Sequence, residues 1–180
     1  MEYAVTFYKE LQMILPGQTI RKLINNTPHL VDGFIDMESQ LQPNGFDLTV
    51  RQVASLNSPG KISSGKQREL SSTTEIKYDE SDWVHLPFGV YLITYNEVVT
   101  LPSDIMALGR PRSSLLRCGV SVGTAIWDAG YSGRSQSLLV VHNSMGFDLQ
   151  RNTRVMQLVF VRLEGDTETL YNGLFQHENT

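Results

Sequence analysis

Cysteine is almost absent from this chain: Cys118 is the only one in 180 residues. That excludes an intrachain disulfide framework and a cysteine-rich zinc site, and it fits a reducing compartment. The ordinary role for such a residue, and the one expected here, is a small buried hydrophobe on a helix. A surplus of positive charge is missing too. Lys and Arg number 15 against 19 Asp and Glu, a formal charge of -4, so a general nucleic-acid binder is not expected and any anion site must be local. No apolar run approaches the ~20 residues needed to span a bilayer. The opening MEYAVTFYKELQ carries acids and no apolar core, so it does not read as a secretory signal, and a cytoplasmic location is expected. His29, His85, His142 and His177 are scattered without H-x₃-H or H-E-x₂-H spacing, so no protein-held zinc site is expected. There is no Walker loop, no G-x-G-x-x-G and no G-x-S-x-G elbow.

What is present fits one domain with a sizeable core. Apolar residues at helical spacing predict a helix over 3–13 and a second over about 18–24, the latter following Pro16-Gly17 with Ile20, Leu23 and Ile24 on one face. From Gln40 onward the pattern changes to short β-rich pieces punctuated by Gly, Pro, Asn and Ser: FDLTV (46–50), VYLITY (90–95), EVVTL (97–101), QSLLVVH (136–142) and RVMQLVFVRL (154–163). Many short, closely spaced strands indicate an all-β sandwich or barrel. Asn44-Gly45 marks a tight turn into the first of these strands, and Asn96 marks another between two of them. Residues 55–72, rich in Ser, Gly and Lys, read as a loop or exposed hairpin, with Lys61, Lys66 and Arg68 as a solvated face. The final YNGLFQHENT is a polar tail of a kind ordinarily disordered.

The most informative stretch is RPRSSLLRCGVSVGTAIWDAGYSG, residues 110–133. Ser113 or Ser114 is expected to cap a short helix that runs through Leu115, Leu116 and Cys118 and stops at Gly119. Two readings stand side by side: a capped helical turn with exposed arginines, or a phosphate grip in which helix amides, serine hydroxyls and Arg112 or Arg117 converge on anionic oxygens. Further on, Asp128 stands between Trp127 and the Gly130-Tyr131-Ser132-Gly133 turn. Its commonest use would be as a turn residue. Trp127 and Tyr131 are expected to desolvate it partly, which would suit it to taking a proton from water. Asp47 reads as a structural acid. Gln157, inside the apolar VMQLVF, must pair with backbone or with a ligand.

QPNGFDLTV, LPFGVYLITYNEVVTLP, RPRSSLLRCGV, AIWDAGYSG, RVMQLVF and the terminal YNGLFQ resemble, in that order, the successive motifs of the dUTPase and dCTP deaminase superfamily, from about Met13 to the tail. The resemblance implies a mainly β fold, a distorted barrel or jelly-roll-like subunit with one or two N-terminal helices and a short helix near 113–118. It implies one dUTPase-like domain over 1–180, with 1–12 as an extension and 168–180 as a tail able to close over the site. It also implies a homotrimer with sites shared at its interfaces, a deoxynucleoside triphosphate substrate, and magnesium (Mg2+) carried by the substrate phosphates. By the same resemblance Asp128 is the general base, Ser113 bonds a bridging or α-phosphate oxygen, and Arg112, Ser114 and Arg117 support phosphate charge. Backbone at Thr124, Ala125 and Ile126 would read the uracil edge, Tyr131 would stack on the deoxyribose, Gln157 would contact phosphate, and Tyr171, Phe175 and Gln176 would form the lid.

Deaminases of this superfamily carry a glutamate on the strand after the G-x-x-G turn. Here no Asp or Glu occurs from Ala129 to Phe147. The resemblance is therefore to an archaeal-type dUTPase on a deaminase-like scaffold, hydrolysing dUTP to dUMP and pyrophosphate. A dCTP deaminase, with or without the diphosphatase step, and a non-catalytic nucleotide-binding trimer are the alternatives.

Overall fold

Short β-branched and aromatic segments cannot bury their apolar faces singly, and here they do so by pairing around one strand. The computed structural model describes residues 13–65 and 67–180. In chain order the elements are α1 (Gly17–Asn25), β1 (Val31–Asp32), α2 (Met37–Gln40), β2 (Leu41–Gln42), β3 (Gly45–Leu56), β4 (Lys61–Ile62), β5 (Arg68–Glu69) and β6 (Thr73–Ile76). They continue as β7 (Trp83–Leu86), β8 (Gly89–Tyr95), β9 (Val98–Thr100), β10 (Ile105–Pro111), α3 (Ser113–Arg117) and β11 (Val120–Gly123). The last are β12 (Ser132–Gly133), β13 (Gln136–Val141), β14 (Phe147–Gln150) and β15 (Arg154–Arg162).

The main sheet runs β10-β15-β3-β8-β13-β11, with β2 and β6 also paired to β3. All its pairings are antiparallel. β3 serves both halves of this sheet: residues 46–49 register with β15, whereas 50–55 register with β8. Register shifts opposite both neighbours bend the ladder at this point, as bulges do. A smaller sheet, β1-β9-β12, and the pair β14-β7 complete a barrel-like wall. Its interior holds Phe46, Leu48, Ile93, Tyr95, Leu139, Met156 and Phe160, all fully buried. The fold is thus mainly β, as expected.

Several local readings are met. The helix near 18–24 is α1, whose Ile20 and Ile24 are buried with Leu23 packed against the core. Pro43 and Asn44 form the two-residue turn between β2 and β3, opposing Gln42 to Gly45. Within 55–72, β4 and β5 form an exposed hairpin; Lys66, assigned to the same solvated face, lies outside the described residues, as does nearly all of the helix expected over 3–13.

Two expectations are corrected. Asn96 is a bend rather than a hairpin turn, because the strand after it leaves the main sheet: β9 pairs with β1 and β12, and not with β8. Buried Glu97 anchors that corner, accepting from Thr49 N at 2.9 Å and from Gln40 Nε2 at 2.7 Å. Cys118 is exposed, not buried. It caps the end of α3, and Gly119 follows at φ +72°, the left-handed position that stops a helix and that glycine adopts without strain. Only Leu115 of this short helix is buried.

Phe46 is the clearest test of the core. It is fully buried and meets Phe34 edge to face, with ring centroids 5.8 Å apart. Phe46→Ala is expected to cost about 3–5 kcal/mol of stability, read as a lowered midpoint in chemical denaturation with a slope like that of the parent.

Candidate functional site

β10 delivers the chain to α3, and a buried ion pair sets where that helix starts. Asp47, on β3, is fully buried, and Arg112 and Arg154 both contact its Oδ2, Arg154 at 3.4 Å. Asp47 is therefore a structural acid, as read from sequence. Arg112 is the N-cap residue of α3, and its side chain is turned to Asp47. The serine cap expected from the sequence is not formed, since Ser113 is already the first helical residue. Ser113, Ser114 and Arg117 are exposed, and neither serine hydroxyl is hydrogen-bonded among the described residues. Arg117 Nη1 lies 3.2 Å from Ser113 O. Burial, then the neighbouring charge of Arg154, lower the pKa of Arg112, although guanidinium stays charged at any ordinary pH.

Strand alternation governs Asp128. Trp127 bridges to Ala107 in both directions and points inward, where its Nε1 donates to Ser135 Oγ at 2.9 Å. Asp128 consequently points outward and is exposed. The desolvation expected from its aromatic neighbours does not occur within one chain, because Trp127 and Tyr131 are themselves buried in the core. Gly130 then turns the chain at φ +85°, and a Cβ there would lie 2.7 Å from that of Leu170.

Beside this turn lies a cavity of about 570 Å³, within the size range of small-molecule sites. Ala125, Ile126, Tyr131, Tyr171 and Phe175, all named from sequence, line it, together with Trp127, Leu92, Gln136 and Glu178. Asp128 lines a separate, smaller recess of about 330 Å³ with Ala129, Thr169 and Leu170, and Tyr171 borders both. Arg112, Ser113, Ser114 and Arg117 line neither, nor do Thr124 and Gln157. Gln157 is only half-buried, on β15 between Arg110 and Asp47 in register. The chain thus brings together Ala125, Ile126 and Tyr131 of the residues expected around a base and sugar, and leaves Thr124 and the residues expected to grip phosphate apart from them.

The tail is not disordered. Its amides supply partners to the backbone at 130–134: Gln176 Oε1 accepts from Ser132 N and Gln176 Nε2 donates to Gly130 O, at 3.0 and 2.9 Å. His177 N donates to Ser132 O at 2.7 Å, and Asn179 Nδ2 to Arg134 O at 2.9 Å. Tyr171 stacks edge to face on Tyr131 at 5.6 Å. Tyr131 Oη donates to Glu178 Oε1 at 3.0 Å. Glu178 and Gln136 escaped sequence reasoning; the alternation of QSLLVVH, which puts Gln136 outward, was the available signal for the second. Among the described residues no cluster of His, Cys, Asp or Glu stands ready to hold a metal, and no helix is long and apolar enough to cross a membrane.

Burial raises the pKa of Glu178, with the Tyr131 bond opposing it. The docked tail therefore favours protonated Glu178. Docking assistance from this group is complete below the ordinary carboxylate pKa and is lost as pH rises through the raised value. Amide exchange of residues 171–180 should accordingly speed up across that window beyond its intrinsic pH trend, and Glu178→Gln should remove the excess; an unchanged profile in the variant would break the link.

Comparison with known proteins agrees with these features. The model of the dCTP deaminase-like family matches residues 14–163. Curated relatives named probable deoxyuridine 5'-triphosphate nucleotidohydrolase include one from Methanosarcina acetivorans, 44% identical over 93% of this chain and 98% of its own. Another, from Archaeoglobus fulgidus, is 49% identical over 92% of this chain and 97% of its own. Among solved structures, the 2'-deoxycytidine 5'-triphosphate deaminase of Agrobacterium tumefaciens shares the fold at a TM-score of 0.66 and 22% identity, over 83% of this chain. The present chain spans about half the length of that one, 48%. With a family match across most of its length, relatives above 40% identity and the barrel just described, this chain belongs to the dCTP deaminase-like family of the dUTPase and dCTP deaminase superfamily.

Proposed function

We propose that the chain is a dUTP diphosphatase, hydrolysing dUTP to dUMP and pyrophosphate. The observation that carries this reading is the placement of acids around the turn at 128–133. Asp128 is an exposed carboxylate beside the cavity, whereas the outward positions of β13 are Gln136, Leu138 and Val140, with no acid among them. A carboxylate is available to activate water, and the strand offers none to the ring. Asp128 takes a proton from water as the water oxygen bonds to the α-phosphorus; the bond from that phosphorus to the bridging oxygen breaks and pyrophosphate leaves. Ser113 donates to a bridging or α-phosphate oxygen, and Arg117, with Ser114 and the face of Arg112 that Asp47 leaves free, offsets the charge that develops. Ser113, Ser114, Arg112 and Arg117 offer a cation no anionic oxygen, so magnesium would come as a companion of the triphosphate and offset part of its charge. Tyr131 and Tyr171 hold the sugar, with backbone at 124–126 at the base and Gln157 toward phosphate. A cytoplasmic location suits a substrate drawn from the nucleotide pool.

The separation of α3 from the cavity supports a homotrimer in which one subunit's Ser113–Arg117 serves the cavity of the next, since closed rings readily build such shared sites. One observation favours the alternative of dCTP deamination: Glu178, from the tail, brings a carboxylate into the cavity.

Incubation of the purified protein with dUTP or dCTP and magnesium, scoring pyrophosphate, dUMP and ammonia separately, decides between the two. Pyrophosphate and dUMP from dUTP are expected, and ammonia from dCTP would overturn the reading. Asp128→Asn should lower turnover about 10²–10⁴-fold while nucleotide binding persists. Arg117→Ala and Asp128→Asn subunits, each inactive alone, should regain activity when refolded together; failure to do so would argue against shared sites.

A further inference from the structure

Gln136 has no role in the mechanism above, yet its position in the cavity is unusual. It opens β13 on the outward side, between buried Ser135 and Ser137, in register with Thr94 of β8. Its Nε2 donates to Thr94 Oγ1 at 2.9 Å. That uses one of the amide's two N–H bonds and turns Oε1 away from Thr94, and among the described residues Oε1 accepts no hydrogen bond. Among the other polar side chains that line the cavity, Tyr131 is engaged with Glu178 and Ser135 with Trp127, while Ser71 and Thr73 come from the segment at 70–73. Gln136 is thus an unspent acceptor and donor set side by side in a cavity to which Leu92, Ile126 and Trp127 bring apolar surface.

We infer that Gln136 is a specificity-determining residue that reads the pyrimidine at its 3,4-edge, with Thr94 holding the amide in the orientation that accepts from an N–H. This rests on reading the cavity as the base pocket. Uracil presents N3–H followed by the C4 carbonyl, so Oε1 accepts from N3–H while the free N–H faces the carbonyl. Cytosine presents the reverse, a bare N3 and an amino group, and meets the held amide acceptor to acceptor and donor to donor. A site built to hydrogen-bond one edge rejects the other because its own polar groups are then left unpaired. Thr94 is buried and fixed by the sheet, so the amide is held by a partner that does not move with the ligand.

The test is calorimetric binding of dUMP and dCMP to the wild-type protein, Gln136→Leu and Thr94→Val, with kcat/KM for dUTP alongside and circular dichroism to show that each variant is folded. Gln136→Leu should weaken dUMP binding about 10–100-fold and lower kcat/KM for dUTP chiefly through KM, with dCMP affinity changed far less. Thr94→Val, which frees the amide to turn over, should narrow the preference for dUMP over dCMP while leaving Gln136 in place. A folded Gln136→Leu that binds dUMP as the wild type does would overturn the inference and leave the proposed hydrolysis untouched. A wild type that prefers dUMP through Gln136 but releases no pyrophosphate from dUTP would uphold the inference and sink the hydrolysis.

Discussion

A carboxylate buried without a partner would be intolerable in this barrel, and much of the molecule's arrangement follows from how Asp47 avoids that. It sits on β3, the strand that four others pair with, at full burial. Its partners come from far along the chain, Arg112 from the end of β10 and Arg154 from the start of β15. Breaking such a pair by removing one partner typically costs about 3–5 kcal/mol. The pair therefore ties β3 to the end of β10 and the start of β15, and it lies where α3 begins, because Arg112 is the N-cap residue of that helix. The serines that follow are left facing outward with their hydroxyls free of the helix. A structural ion pair on the face of β3 opposite Phe46 and Leu48 thereby stands at the start of the candidate phosphate grip.

On the other side of β8 and β13 the same outward and inward alternation sorts roles. Trp127 and Tyr131 go in, Asp128 goes out, and the tail covers the turn that joins them. Tyr171 lines both the larger cavity and the recess holding Asp128, so the tail borders the two together. Ser113, Ser114 and Arg117 of the candidate phosphate grip line neither, so within one chain the candidate site falls into two portions.

Much of this was legible in the residues. Alternating short segments with turn signals pointed to a β barrel, and the ordered motifs from QPNGFDLTV to YNGLFQ pointed to the family. What the sequence concealed were facts of long-range pairing. Nothing local shows that Arg112 would turn to Asp47, 65 residues away, rather than leave the cap to Ser113. Asn96 looked like a hairpin turn because turn chemistry does not reveal which sheet the next strand will join. The polar tail looked unable to order itself, since its partners are backbone groups at 130–134 that only the folded barrel presents. Asp128 looked half-buried because aromatic neighbours in sequence point to the opposite side of the chain.

The central position of β3 also bears on how the chain reaches this state. Its partners, β2, β6, β8 and β15, are drawn from both nearby and remote parts of the sequence. The near ones can form early at little entropic cost, whereas β15 must cross about a hundred residues of unpaired chain before its contacts repay closure. Barrels dominated by such pairings fold on the millisecond-to-second scale. Until β15 arrives, one side of β3 is an open edge, and Asp47 lies along it without Arg154. A charge on an exposed strand edge discourages pairing with a neighbouring molecule, and Asp47 places such a charge on the half of β3 that waits for β15.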